Sequence, residues 1–198
     1  MSNISPIDGR YKESVSELEK YFSEQALMRH RVFVEVQYLL SLIGHASFKN
    51  IKPLNKKCLL SLGGLCENFS SKDFKRIKKI EQKTNHDVNA VVVFVSEKLT
   101  ELNRKDLVPL VHFGLTSEDI NNISYSLMVK GAVANVLVPS IKDVLKELKK
   151  LSKDSKMLPL LSLTHGQPAT TTTLGKEMSI FITRTERQLE QINNVNLL

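Results

Sequence analysis

Between Ile120 and Leu151, apolar residues return every three, four or seven positions: Ile120, Ile123, Leu127, Ala134, Leu137, Ile141, Val144, Leu148 and Leu151. The spacing is close to a heptad repeat, which restricts the segment to a long helix whose apolar seam other helices must cover. Thr116 and Asp119 resemble a capping box at its start, with Asp in place of the usual Glu. The helix can run to Ser155, a length on the order of 55–60 Å at 1.5 Å per residue. Pro139 inside it predicts a kink or a division into two coaxial pieces. A further helix from Leu174 onward carries Met178, Ile182, Leu189 and Ile192. Two long helices cannot bury a heptad seam alone, so the pattern points to oligomerisation, to further C-terminal sequence, or to both.

Upstream the helical period also dominates. Met28, Val32, Val36, Leu39, Leu40 and Ile43 recur at steps of three and four, with Ser23 as N-cap. A second helix is expected from Leu54 through Phe69, with Leu59, Leu62, Leu65 and Phe69 on one face. The pair Ser70-Ser71 then restarts a basic helix carrying Phe74, Ile77 and Ile80. The stretch VNAVVVFVSEKL (88–99) is rich in β-branched residues and would suit a strand. Its Val88, Val91 or Val92, Val95 and Leu99 nevertheless fit a helical stripe, and no alternating partner strand lies nearby. The expected fold is all-α: a small N-terminal helical domain (1–112) followed by long antiparallel helices (113–198). The boundary is drawn in the polar break NRKDLVPLVHFG (103–114), where Pro109 and Gly114 act as breakers.

With 41% hydrophobic and 25% charged residues, the chain has enough apolar material for a core and is not of the disordered class. It has no apolar run of about 18 residues, so no membrane span is expected, and its first residues lack the pattern of a signal peptide. Cys58 and Cys66 are not at metal-site spacing and read as reduced thiols of a cytoplasmic protein. The net charge of +7 gathers mainly in KDFKRIKKIEQK (72–83) and KELKKLSKDSK (146–156). Such runs serve as solvated helix faces, and no aromatic interleaving or recognisable module argues for nucleic acid.

Polar chemistry concentrates at four helix breaks. SPIDGRY (5–11) is a turn followed by Arg10, which can fork onto a phosphate or carboxylate, and Tyr11, a hydroxyl donor. It also reads as an N-terminal turn with a surface arginine. In KTNHDVNA (83–90), Thr84 can cap a helix whose first turn holds Asn85, His86 and Asp87; N–H groups there favour anions. Asp87 either orients His86 or complements the helix dipole. In FGLTSEDINN (113–122), Thr116 and Ser117 put two hydroxyls at the start of the long helix, for capping or for an anion. LLSLTHGQPATTTTLG (160–175) holds His165, the one group there that titrates near neutrality, so it can donate or accept a proton. Without further context it reads first as a loop histidine bonded to its own turn. Its threonines can cap the next helix, bond their own backbone or bind ligand. The set contains no metal-ligand cluster and no Gly-rich phosphate loop, and it suits an anion carrying carboxylates and a phosphate.

SPIDGRY, TNHDVNA, TSEDINN and THGQPAT, in this order and at these separations, resemble the adenylosuccinate lyase family of the fumarase/aspartase superfamily, from Ser5 to the C-terminus. Each is modest alone; four together are specific. THGQPAT separates the chain from fumarases and aspartases, and SPIDGRY suggests the bacterial-type subgroup. The resemblance implies β-elimination of fumarate from adenylosuccinate, giving AMP, and from the succinyl-carboxamide ribonucleotide intermediate of purine synthesis, giving AICAR. It implies that Arg10 and Tyr11 bind the phosphate region and that Asn85, His86 and Asp87 contact substrate, with His86 near the succinyl group. Thr116 and Ser117 would hold a fumarate carboxylate. His165 would be the general acid, with Thr164 and Gln167 beside it. No cofactor and no metal are implied; the partners are the anionic nucleotide, fumarate and other copies of the chain in a homotetramer.

The family's general base is a serine on a loop resembling Ser-Ser-x-Met-Pro-x-Lys-x-Asn-Pro, and no such segment occurs in these 198 residues. The resemblance thus implies an N-terminal portion, inactive alone: the N-terminal domain (1–112) and the first long helices of a central bundle (113–198), left incomplete. Leu163 stands where relatives often carry a basic residue, and the Thr run 170–173 replaces a segment that often contains proline. Other readings are a non-catalytic helical interaction module, suggested by the seam, a nucleic-acid-binding protein, suggested by the charge, and another superfamily enzyme such as a carboxymuconate cycloisomerase.

Overall fold

A computed structural model describes residues 5–48 and 51–196. The chain divides into two compact units, Met1–Lys130 and Gly131–Leu198.

The first unit opens with short 3-10 turns at Pro6–Asp8 and Glu13–Leu18, then α1 (Glu19–Phe22), α2 (Glu24–Gly44), α3 (Lys56–Glu67), α4 (Ser71–Thr84) and α5 (Asp87–Glu101). A 3-10 stretch, Lys105–Leu110, leads to α6 (Ser117–Ala132). The helix starts follow from local chemistry. Ser23 accepts from Ala26 N–H, as expected, and Asn55 accepts from Cys58 N–H. Ser70 and Asp73 form a reciprocal capping box.

The core is built around α5, whose Val91, Phe94, Val95 and Leu99 pack with Met28, Val32, Val36 and Leu39 of α2, Leu62 of α3 and Ile77 of α4. The valine run is therefore helical, as its spacing predicts. Burying each large side chain is worth roughly 1.5–3 kcal/mol, against a few tenths of a kcal/mol lost to the lower helix propensity of valine. On α3 only part of the expected face is covered: Leu62 is fully buried, while Leu59 is exposed.

The second unit contains a π-helical turn (Val133–Leu137), α7 (Val138–Asp154), the strands β1 (Pro159–Thr164) and β2 (Gln167–Thr173), and α8 (Leu174–Asn193). Pro139 falls in the first turn of α7, which continues directly from the π turn. The irregularity expected at the proline takes the form of the π turn just before it. The apolar seam splits in two. Val138 and Leu145, with Ile141 and Leu148, pack against Ile182, Leu189 and Ile192 of α8. Leu137, Val144 and Leu151 remain 43%, 57% and 44% exposed. A residue step turns a helix by about 100°, so stripes one position apart cannot share a face.

The fold is all-α, with one two-stranded sheet among the described residues. That sheet corrects the reading of 160–175 as an irregular break. β1 and β2 pair antiparallel, Pro159 with Thr173 and Thr164 with Gln167, with an irregularity between Leu161 and Leu163. The threonines favour extended structure through their branched Cβ. His165 (φ 50°) and Gly166 (φ 75°) form a two-residue turn with positive φ at both positions, the type I′ pattern that matches strand twist.

Candidate functional site

α2 organises the polar segments of the first unit. Arg31, Glu35 and Tyr38 follow one another at helical spacing, and each reaches one or more of these segments. Arg31, with its side chain 3% exposed, donates to Asp87 at 2.8 Å and to Asn121 Oδ1 at 3.0 Å, joining the start of α5 to the first turns of α6. Glu35 meets His112 at 2.6 Å. The Tyr38 hydroxyl donates to the Phe113 carbonyl at 2.8 Å. Beneath these contacts Val34, Val88 and Ile120 form a small buried cluster, so the same three elements are also locked by apolar packing.

The α4–α5 junction is tighter than the sequence suggests. Asn85 closes α4 in the left-handed region (φ 50°), a conformation asparagine tolerates. His86, not Thr84, caps α5: its Nδ1 accepts from Asn89 N–H at 3.2 Å. Nδ1 is therefore unprotonated, and Nε2 carries the hydrogen on a half-exposed ring. Thr84 ends α4 and donates to the carbonyl of Ile80 or His86. Asp87 is the first residue of α5. It turns to Arg31 rather than orienting His86, whose Nδ1 is 3.7 Å away. Burial pushes the Asp87 carboxyl upward, but the Val88 N–H and the Arg31 guanidinium outweigh it and hold the group below its usual range.

At the start of α6, both the N–H and the hydroxyl of Thr116 donate to Asp119, at 2.7 and 2.8 Å. These two bonds, with His112 nearby, keep the Asp119 carboxyl low. Ser117, the first residue of α6, has no side-chain hydrogen bond among the described residues, so its hydroxyl and the helix-start N–H groups are available to an anion.

The structure thus brings Asn85, His86 and Asp87 together with Thr116 and Ser117 around α2. Arg10 and Tyr11 follow the first 3-10 turn, whose Ser5 hydroxyl caps it. Arg10 lies over the Tyr11 ring at 5.7 Å and is hydrogen-bonded to none of the other candidates among the described residues. Thr164, His165 and Gln167 form a separate group at the hairpin tip in the second unit. Thr164 and Gln167 are the last paired residues of the strands, and His165 projects from the turn they flank. Of the threonines, Thr172 donates to Glu177 and Thr173 caps α8 through Lys176 N–H.

Sequence reasoning missed Arg31, Glu35, His112 and Asn121. The first two sit at i, i+4 with opposite charge, a pattern that reads as a solvated surface pair; here both are buried, and each bonds elsewhere. Among the described residues, no three or more His, Cys, Asp or Glu side chains are grouped to hold a metal ion, and no helix is long and apolar enough to cross a membrane.

The sequence model of the family described as Lyase matches residues 9–197. The adenylosuccinate lyases of Haemophilus influenzae and Escherichia coli are similar to this chain at 41% and 43% identity, over all of it and over 44% of their own length. The chain spans a little under half the length of these relatives. Among solved structures, a fumarate lyase from Mesorhizobium sp. BNC1 matches with a TM-score of 0.69 over 90% of this chain and 39% of its own. At 17% identity that likeness speaks for the fold alone.

Proposed function

The chain belongs to the lyase family, and we propose that it supplies part of the active site of an adenylosuccinate lyase. The reaction eliminates fumarate from adenylosuccinate to leave AMP, and from the succinyl-carboxamide ribonucleotide to leave AICAR. The observation that carries this reading is 41–43% identity to adenylosuccinate lyases sustained along the whole chain.

In this elimination a base takes the proton from the carbon next to the one bearing nitrogen. The freed electron pair forms the fumarate double bond, and the C–N bond breaks as nitrogen takes up a proton. Charge grows on the neighbouring carboxylate and needs donors placed beforehand. Ser117 and the start of α6 suit that carboxylate, and Thr116 joins them only by giving up its hydroxyl bond to Asp119. The Nε2–H of His86 suits the succinyl group, with Asn85 and Asp87 beside it. Arg10 and Tyr11 are assigned the phosphate region, and Thr164 and Gln167 flank His165, the general acid at nitrogen. No residue of this chain is assigned the base, which the family resemblance puts on a serine loop whose motif is not in these 198 residues. The same reading divides the chain at 112/113 into a substrate-binding domain and the start of a central bundle. It also carries a homotetramer, a cytoplasmic location, and no role for a cofactor or nucleic acid.

The test is a chimaera in which residues 1–198 replace the matching stretch of the Escherichia coli relative. Fumarate release from adenylosuccinate that disappears in His165→Ala is the expected result; a folded, assembled chimaera without release would overturn the reading. The chain by itself should release no more fumarate than its His165→Ala variant, and clear release would overturn the assignment of the base to residues elsewhere.

A further inference from the structure

Among the described residues of the first unit, Glu35 is the one acidic side chain wholly inside it: its exposure is 0%, and its Oε2 has no hydrogen-bond partner among them. A carboxylate removed from water costs several kcal/mol unless partners replace the lost hydration. Arg31, one turn earlier on α2, does not supply that replacement, because its donors go to Asp87 and Asn121. Among the described residues the partner of Glu35 is His112, whose Nδ1 lies at 2.6 Å. Burial accordingly raises the Glu35 carboxyl, and the His112 contact opposes that rise. As scaffolding alone such a residue is a poor choice, since an apolar side chain of similar volume is often neutral or stabilising.

His112 is itself held at a cost. Its φ of 62° lies in the left-handed region, which costs a non-glycine residue on the order of 1–3 kcal/mol and recurs at functional sites. Gly114 (φ 72°) and the Tyr38–Phe113 hydrogen bond secure the same turn, three residues before the start of α6. The His112 ring is 22% exposed, and its Nε2 has no hydrogen-bond partner among the described residues. One nitrogen is therefore anchored inside the unit and the other has no partner there, on a ring near enough to the start of α6 to lower the Asp119 carboxyl.

We propose that Glu35 is a positioning residue of the candidate site, holding the Nδ1–H of His112 so that Nε2 is the nitrogen offered to a substrate at the start of α6. A carboxylate behind an imidazole fixes both the ring plane and the tautomer, as it does behind metal-bound and catalytic histidines. Arg31, Glu35 and Tyr38 then act as one rigid row, and Glu35 is the member that sets a chemical state as well as a distance. The proposal rests on the lyase reading only for the identity of the substrate.

The tautomer is read directly from long-range proton–nitrogen NMR spectra of the full chain, with the His112 signals identified by their loss in His112→Gln. The neutral His112 ring should carry its hydrogen on Nδ1. Glu35→Gln, whose amide oxygen still accepts, should keep that form, and Glu35→Leu should lose it to the Nε2–H form. An Nε2–H ring in the wild-type chain would overturn the proposal, as would an unchanged tautomer in Glu35→Leu. The wild-type spectrum decides even where Glu35→Leu fails to fold. No substrate enters the measurement, so its failure is separate from a failure of the chimaera to release fumarate.

Discussion

Oε1 of Glu35 and Nδ1 of His112 meet at 2.6 Å although 77 positions separate them in the chain. The contact pins the turn before α6 to the middle of α2, and it places a titratable group in the interior. Because burial raises the Glu35 carboxyl above its ordinary value of 4.5, the folded chain binds this proton more tightly than the unfolded chain. The associated stability is present below that value and is lost as pH rises through the folded value. Relative to Glu35→Gln, the wild-type chain should therefore lose stability as pH climbs from about 4.5. Opening free energies of α2 amides from hydrogen exchange, measured across that range, check this; a difference that is constant or grows with pH contradicts it.

Arg31 joins two segments of the candidate site, so its loss should be felt at both. We expect Arg31→Met to cost about 2–3 kcal/mol, the range for hydrogen bonds to charged groups in a desolvated setting. Chemical-shift changes should appear at both Asp87 and Asn121. Denaturant melts give the first quantity and amide spectra the second. A loss below about 0.5 kcal/mol, the level of an ordinary surface change, would mean that Arg31 is not the tie.

Gly175 is buried where α8 begins, and a Cβ there would run into the Ser152 carbonyl and the backbone of Lys156. The Ser152 hydroxyl also donates to the Gly175 carbonyl at 2.7 Å. Gly175→Ala should destabilise the second unit by about 1–3 kcal/mol, as overpacking does. Exchange rates of α7 and α8 amides should rise while those of α5 do not.

His165 occupies a left-handed position that asparagine also accepts. His165→Asn should leave the β1–β2 pairing intact, visible as unchanged cross-strand contacts between Thr164 and Gln167. In the chimaera it should lower fumarate release by roughly 100- to 10,000-fold, the usual contribution of a general acid. Loss of the pairing would show that the histidine serves the turn instead.

Leu137, Val144 and Leu151 form an exposed stripe at heptad spacing. Under the proposed homotetramer the stripe is a contact surface. Val144→Glu together with Leu151→Lys should then weaken self-association at sedimentation equilibrium without changing the helical circular dichroism. Unchanged association would assign the contact elsewhere.

The helices were legible because each follows local rules: a stripe at three-and-four spacing, a Ser or Asn cap, a box at Ser70–Asp73. The hairpin was not. Its four threonines are equally good caps, strand residues and ligand contacts, and only the pairing of β1 with β2 selects among these uses. The two-stripe character of α7 was hidden for a related reason, since spacings of three, four and seven merge faces that a partner helix later separates. Arg31 and Glu35 were invisible because a buried charge is defined by what surrounds it, and those surroundings come from α5, α6 and the turn at His112. The four polar segments were found because they interrupt helices. Which of their side chains are already committed, as His86 is to capping and the Thr116 hydroxyl is to Asp119, depends on geometry that composition does not carry.

The row Arg31–Glu35–Tyr38 has a mechanical meaning. Three grips on one helix face share a single axis, so a small rotation or slide of α2 would carry the α5 start, the His112 turn and the α6 start along together. Spacing within this group is thereby insulated from breathing of the unit, in the way a keyed shaft keeps its cams in phase.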